Sequence, residues 1–268
     1  TEISIIKNTR KQIAKFFKKN YNFDSLEARS ILSFGPNDKD GSCLLVDDTI
    51  DGESDKERLN EFKYSIIQGF KWATREGPLC DETIRNVKFR ILEIQLADNY
   101  LDCNGAQLIQ MARNACYSSF MIGTPKLMEP IYQIDITCYY NVVPKLNQLL
   151  DRRRGNILTS SPIAGTSLYK VVGLVPVIDS VGLETDIRLL TQGQAMCYLT
   201  FSKWQIVPGD PLDKDAFIPV LRPAPIKSLA RDFTMKTRKR KGIDGEPTLQ
   251  KYVDSLTYTK LKDAGIIS

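Results

Sequence analysis

The 268-residue chain contains no histidine. Histidine is the side chain whose charge changes near neutral pH, and it often serves as a general base or a metal ligand. Six cysteines are present, but no two of them form a Cys-x-x-Cys pair, whereas zinc ligands normally cluster within short loops. The composition therefore argues against a metal site, and a chain this long needs no disulfide framework. We predict reduced cysteines in an intracellular protein.

A phosphate-binding loop is also missing. Its lysine must follow a glycine, yet none of the sixteen glycines precedes a lysine, and no Gly-x-Gly-x-x-Gly run occurs. Without histidine, no serine or cysteine has an obvious base. Glu129 and Glu184 lie far apart in the chain, and Glu129 precedes Pro130, which favours a structural role for this carboxylate. We therefore expect neither an enzyme nor a cofactor site within this chain.

Long apolar runs are absent as well. No stretch approaches the roughly 20 residues that a membrane-spanning helix needs. A chain of this length is near the size at which one core divides into two domains. The first residue is threonine, which favours a piece of a longer protein. We expect no membrane partner and no small-molecule substrate.

Positive charge is present in three clusters, although the net charge is only +5. Such runs are often solvated surface, but together they predict a polyanion partner. The first cluster lies near the start of the chain, the second is an arginine triplet, and the third is the densest. Their members are Lys7, Arg10, Lys11, Lys15, Lys18 and Lys19; Arg152, Arg153 and Arg154; and Lys236, Arg238, Lys239, Arg240 and Lys241.

The first half of the chain mixes helices and strands. Apolar spacing predicts an amphipathic helix over 5–19, which docks on the protein body or on a membrane surface, and helices over 59–73 and 106–121. Residues 33–41 read as a turn-rich loop and 43–46 as a strand. Residues 87–96 read as a strand whose apolar face switches, typical of a bulge or of a strand covered on both faces. Between this strand and the third helix lies a polar tip, 98–105.

Residues 130–206 show a cleaner pattern of strand, helix, two strands, helix and strand. This β-α-β-β-α-β order is the ferredoxin-like arrangement. Its strand 168–177 has one aromatic residue, so we favour packing on another domain over base stacking by the sheet. The proline-rich segment from 205 predicts a wrapping tail, with helical stretches around 226–233 and 249–262.

Several motifs resemble the last two domains of elongation factor 2 and its relatives. They are Leu-Met-Glu-Pro at 127–130, Arg-Arg-Arg-Gly at 152–155, Thr-Gln-Gly-Gln-Ala at 191–195, Trp-Gln-Ile-Val-Pro-Gly-Asp-Pro at 204–211 and Thr-Arg-Lys-Arg-Lys-Gly at 237–242. Upstream, Ser-Phe-Gly-Pro at 33–36, Trp-Ala-Thr-Arg-Glu-Gly-Pro at 72–78 and Gly-Ala-Gln at 105–107 fit the same family. The resemblance covers essentially the whole chain.

The family includes ribosomal translocases and the spliceosomal GTPases of the U5 small nuclear ribonucleoprotein (snRNP). Translocases carry a histidine at the loop tip that becomes diphthamide, followed by Arg-Gly-Gly-Gly-Gln. Counting back from Gln107, Asp102 stands in its place, Cys103 and Asn104 replace Arg-Gly, and Gly105 follows. A carboxylate here would repel RNA backbone. The segment 223–242 resembles the spliceosomal members, which favours that branch and leaves the translocase as the alternative.

The resemblance implies an α+β chain of two domains. Residues 1–127 would form an elongation-factor domain IV of the ribosomal-protein-S5-like β-α-β type, completed by 206–268, and 128–205 would form a ferredoxin-like domain V. GTP and Mg would bind elsewhere in the full-length protein. Implied partners are the large U5 scaffold protein and other U5 snRNP components, indirectly the spliceosomal helicase, and RNA as an open question. The implied location is the nucleus, where the basic runs would serve either RNA contact or import.

Overall fold

A computed structural model describes residues 10–38, 41–50, 56–96, 104–219, 223–243 and 245–266. The chain divides into two compact units, the first comprising residues 1–125, 211–214 and 231–268 and the second residues 126–210 and 215–230. Each unit combines helices with one sheet, which confirms the α+β class and the two-domain organisation. The segment 206–268, which the sequence assigned to the first domain alone, divides between both units.

The first unit combines a three-stranded sheet with helices. The described elements of this part of the chain are α1 (Arg10–Tyr21), β1 (Ile31–Gly35), β2 (Cys43–Asp47), α2 (Lys56–Arg75), β3 (Lys88–Ile91) and α3 (Gly105–Ile122). The order of the strands in the sheet is β1-β2-β3. β1 and β2 pair antiparallel, whereas β2 and β3 run parallel and are connected through α2. This connection is the predicted β-α-β element.

Both faces of β2 are buried. Cys43 and Leu45 belong to an apolar cluster with Phe70 of α2 and Cys116 of α3. Val46 belongs to a second cluster, which contains Ala14 and Phe17 of α1 together with Ala28 and Ile31. The sheet therefore lies between α1 on one face and the α2–α3 pair on the other, a layered arrangement that buries each helix's apolar stripe.

α2 and α3 pack at close range through Gly69. A Cβ atom at Gly69 would lie 2.5 Å from the carbonyl oxygen of Ile109 and 2.7 Å from the Cβ of Ala112. Apolar spacing alone would place Met111 on the buried side of α3, but Met111 is 61% exposed whereas Tyr117 is buried. The side of α3 that carries Ala112 faces α2.

Two strand predictions in the first unit need correction. Residues 33–35, predicted as part of a loop, form the end of β1, where Phe34 pairs with Leu44 of β2. Gly35 lies so close to α2 that a Cβ atom would lie 2.5 Å from the Oγ1 of Thr74. β3 ends at Ile91, and its pairing with β2 has no register shift, so the change of apolar parity marks the end of the strand.

The second unit contains a four-stranded sheet and the helices that connect its strands. The elements are β4 (Met128–Tyr139), α4 (Val143–Arg152), β5 (Asn156–Pro162), β6 (Leu168–Pro176), α5 (Leu183–Thr191) and β7 (Ala195–Ile206). The strand order is β5-β6-β4-β7, and each neighbouring pair is antiparallel. This order and the connecting helices confirm the ferredoxin-like prediction. The core lies between the helices and one sheet face, with Ile134 and Ile136 of β4 almost completely buried.

The tail forms two further helices. α6 (Leu229–Arg240) extends the predicted helical stretch through most of the basic run, and α7 (Ser255–Asp263) covers the second half of the predicted final helix. Tyr252, which precedes α7, packs its ring edge against Tyr117 of α3 at 4.8 Å between centroids. Among the described residues, no helix has the length and apolarity needed to cross a membrane.

Candidate functional site

The described part of the loop tip forms the start of α3. Asp102 and Cys103 lie outside the described residues, whereas Asn104, Gly105 and Gln107 lie within them. The Oδ1 atom of Asn104 accepts a hydrogen bond from the backbone N–H of Ala106 at 3.2 Å, which makes Asn104 the N-cap of the helix. Gln107 is exposed in the first turn. The structure therefore gives Asn104 a role in ending the tip and beginning the helix.

We expect Asn104→Ala to destabilise the first unit by about 1 kcal/mol, because the substitution removes the acceptor for one of the free N–H groups at the helix start. Asn104→Asp keeps that acceptor and should retain wild-type stability. Urea unfolding followed by circular dichroism measures both. Equal losses for the two variants would contradict the capping role.

Two members of the arginine triplet are committed to contacts inside the second unit. The guanidinium of Arg153 donates to the carbonyl oxygens of Asp179 at 2.6 Å and Val181 at 2.7 Å, and it also binds the carboxylate of Asp186. Arg154 donates through both terminal nitrogens to the carboxylate of Glu129, at 2.8 and 2.9 Å, and through Nε to Asp179 at 2.6 Å. Only Arg152 of the three is exposed.

The environment of Arg154 favours the charged form of its guanidinium. Desolvation by burial acts to lower the pKa of Arg154, but the hydrogen bonds and charges of Glu129 and Asp179 outweigh it and raise the pKa above the usual value. The side chain of Glu129 is 10% exposed, so this carboxylate depends on Arg154 for compensation. The structural role predicted for Glu129 therefore has a concrete basis, a bidentate ion pair.

Three members of the basic run 236–241 also have partners inside the first unit. Arg238 is 4% exposed and donates to the carbonyl oxygens of Leu79 at 2.6 Å and Gly245 at 3.0 Å. The ammonium of Lys236 pairs with Asp232 at 2.7 Å. The ammonium of Lys241 pairs with Glu82 at 2.5 Å. Arg238 and Lys241 therefore attach the end of α6 to residues 79–82, whereas the pair of Lys236 with Asp232 lies within the helix.

The two basic runs leave three exposed cations without an ion pair among the described residues: Arg152, Lys239 and Arg240. RNA contact by these runs stays a prediction that now depends on these three side chains. Four further exposed cations without an ion pair among the described residues lie on α1: Lys11, Lys15, Lys18 and Lys19. The sequence pattern showed this cluster, but it was not among the predicted site residues. The spacing of Lys11, Lys15 and Lys18, which are four and three residues apart, places them on one side of a helix and could have indicated an exposed basic face.

The described cysteines are free thiols in the protein interior. Cys43, Cys80, Cys116 and Cys138 are buried and Cys197 is half-buried. Burial raises the pKa of the Cys116 thiol to about 12, so this sulfur stays protonated and unreactive at neutral pH. Within the described ranges, no three histidine, cysteine, aspartate or glutamate side chains cluster as a metal site would require.

Comparison with known proteins identifies both units. The sequence profile described as elongation factor G, domain IV matches residues 3–123, and the profile described as elongation factor G C-terminus matches residues 126–215. The pre-mRNA-splicing factor cwf10 of Schizosaccharomyces pombe is 49% identical over 258 residues, which are 96% of this chain and 26% of that protein. The chain belongs to the family of elongation factor G and its relatives.

Two further relatives are similar to the chain to about the same degree. The 110 kDa U5 small nuclear ribonucleoprotein component CLO of Arabidopsis thaliana is 47% identical over 94% of the chain and 25% of its own length. The pre-mRNA-splicing factor SNU114 of Saccharomyces cerevisiae is 44% identical over 98% of the chain and 27% of its own length. The resemblance to the spliceosomal branch is thereby confirmed, and the chain spans about a quarter of these relatives.

Proposed function

We propose that this chain is the C-terminal arm of an elongation-factor-2-like spliceosomal GTPase of the U5 snRNP. The arm would relay the GTP state of the longer protein to spliceosome activation and disassembly during pre-mRNA splicing. The supporting observation is the 44–49% identity to proteins named as splicing factors and a U5 snRNP component along almost the whole chain. These residues include both units, so the arm as a whole is retained.

We propose that the arm itself is not an enzyme. It has no histidine and no Gly-Lys dipeptide for a phosphate-binding loop, so GTP and Mg would bind in another part of the longer protein. Among the described residues, its most buried carboxylates are engaged in ion pairs, Glu129 with Arg154 and Asp232 with Lys236. These carboxylates stabilise the units and are not free to act as acids or bases.

The partners we propose are proteins of the nuclear splicing machinery. The large U5 scaffold protein would bind the arm directly, and the spliceosomal helicase would be affected indirectly. Exposed apolar side chains on β7, including Tyr198 at 62% and Phe201 at 57% exposure, provide the kind of aromatic anchors that protein interfaces use. The longer protein would therefore act in the nucleus.

Affinity purification tests this proposal. The full-length protein that carries this chain is tagged in its own cells, and the co-purified RNA is sequenced. We expect U5 small nuclear RNA to be enriched over ribosomal RNA, compared with a tagged elongation factor 2 from the same cells. Enrichment of large-subunit ribosomal RNA instead would favour the alternative, a ribosomal translocase with Asp102 at its tip, and would contradict the splicing role.

A further inference from the structure

The exposed side of α1 carries four lysines. Lys11, Lys15, Lys18 and Lys19 are all exposed. At about 100° per residue they lie within an arc of about 100°, and they span about 12 Å along the helix axis. They therefore form one continuous stripe, which we call the α1 lysine face.

The α1 lysine face differs from the other basic segments in having no internal partner. Among the described residues, none of its four ammonium groups lies within ion-pair distance of a carboxylate, whereas Arg153, Arg154 and Lys241 are all paired. Lys18 and Lys19 also stand in the last turn, where a cation interacts favourably with the helix dipole. That effect does not account for Lys11 and Lys15, which lie further from the helix end.

The opposite side of α1 is already occupied. Ala14 and Phe17 are buried in the cluster that contains Val46 of β2, and Ile13 and Phe16 pack against the same cluster. A helix that binds a membrane surface must insert its apolar face below the headgroups. Because that face of α1 lies in the core, the membrane alternative for this helix loses its physical basis.

The composition of the stripe also indicates the kind of partner. Protein interfaces are depleted in lysine at their centres and rely on aromatic or apolar anchors. The α1 lysine face has no apolar side chain within its arc. A row of point charges spaced along an axis instead matches a linear polyanion, since one strand of a nucleic acid duplex presents a phosphate about every 3.4 Å.

We propose that the α1 lysine face binds the phosphate backbone of RNA, without reading sequence. Phosphate contacts by lysine position a nucleic acid and give affinity that depends on salt. The first unit would thus contact RNA through α1, while the basic runs at 152–154 and 236–241 mainly stabilise the two units. This inference does not depend on the splicing role.

The salt dependence of RNA binding tests the proposal. The probe is a labelled single-stranded 20-nucleotide oligouridylate, and binding to the full chain is followed by fluorescence anisotropy. Four phosphate contacts predict a slope of about −2.8 for the logarithm of affinity against the logarithm of salt concentration. That slope corresponds to a loss of roughly 50-fold between 50 and 200 mM salt. The quadruple variant Lys11→Gln, Lys15→Gln, Lys18→Gln, Lys19→Gln should reduce the slope to nearly zero.

A matched variant controls for net charge. Lys126→Gln, Lys145→Gln, Lys203→Gln and Lys262→Gln remove the same four charges from exposed sites spread over the chain, and this variant should keep the wild-type slope. Circular dichroism checks that both variants fold. If the quadruple α1 variant loses helix, single Lys15→Gln replaces it, with an expected slope change of about 0.7.

Three results would overturn the proposal: equal effects of the two quadruple variants, a wild-type chain that does not bind the oligouridylate at 50 mM salt, or binding only to phosphatidylserine vesicles. Each of these results is independent of the U5 RNA measurement, so the RNA contact and the splicing role fail separately.

Discussion

Replacing Arg154 with methionine is expected to lower the stability of the second unit by about 3 kcal/mol, because the change leaves the carboxylate of Glu129 buried without its counter-charge. Methionine fills much of the volume of the arginine stem, so the loss reports the ion pair more than a cavity. Arg154 also joins two distant parts of the unit, the start of β4 through Glu129 and the segment after β6 through Asp179. Both connections are lost together.

The chain's two tryptophans allow each unit to be followed separately. Trp204 lies in the second unit and Trp72 in the first. In a Trp72→Phe background, the urea midpoint of Trp204 fluorescence measures the effect of Arg154→Met. Arg152→Met is the matched control in the same triplet, and since Arg152 is exposed its effect should stay within about 0.5 kcal/mol. Similar losses for both arginines would show that the Glu129 ion pair is not the cause.

Replacing Arg238 with methionine is expected to destabilise the first unit by a similar amount, about 3 kcal/mol. The guanidinium donates to the carbonyl oxygens of Leu79, Gly245 and Pro78, at 2.6, 3.0 and 3.4 Å, and the residue is almost completely buried. A hydrogen bond from a charged donor contributes about 1.5–3 kcal/mol, and buried acceptors left without a donor add a desolvation cost. The loss therefore exceeds that of an ordinary surface substitution several-fold.

Arg240 supplies the control for this prediction. It lies two residues further along α6, carries the same charge and is exposed. In a Trp204→Phe background, Trp72 fluorescence should report a large shift for Arg238→Met and almost none for Arg240→Met. If Arg240→Met were the more damaging change, the assignment of Arg238 as the residue that holds α6 against residues 78–79 would be wrong.

Apolar patterns predicted the regular elements well where one face of an element packs against a single core. The alternation around Ile134, Ile136 and Cys138 marks β4 because one sheet face packs against α4 and α5. The same reasoning failed for β1. The Ser-Phe-Gly-Pro motif at 33–36 is a strong turn signal, but pairing with β2 and the close approach of Gly35 to α2 determine the conformation of its first three residues. Those contacts join residues that are distant in sequence, so no local pattern shows them.

The sequence by itself determined what this chain lacks, which family it belongs to and where positive charge is concentrated. Only the tertiary structure decided which of those charges are available to a partner. Arg154 meets Glu129 across 25 residues, and Arg238 meets Leu79 across 159. Because an ion pair or a hydrogen bond acts over a few ångströms in space, its partner cannot be identified from neighbours along the chain. Three of the five cations in the densest basic run therefore have partners within the fold, whereas the lysines on one side of α1 are exposed.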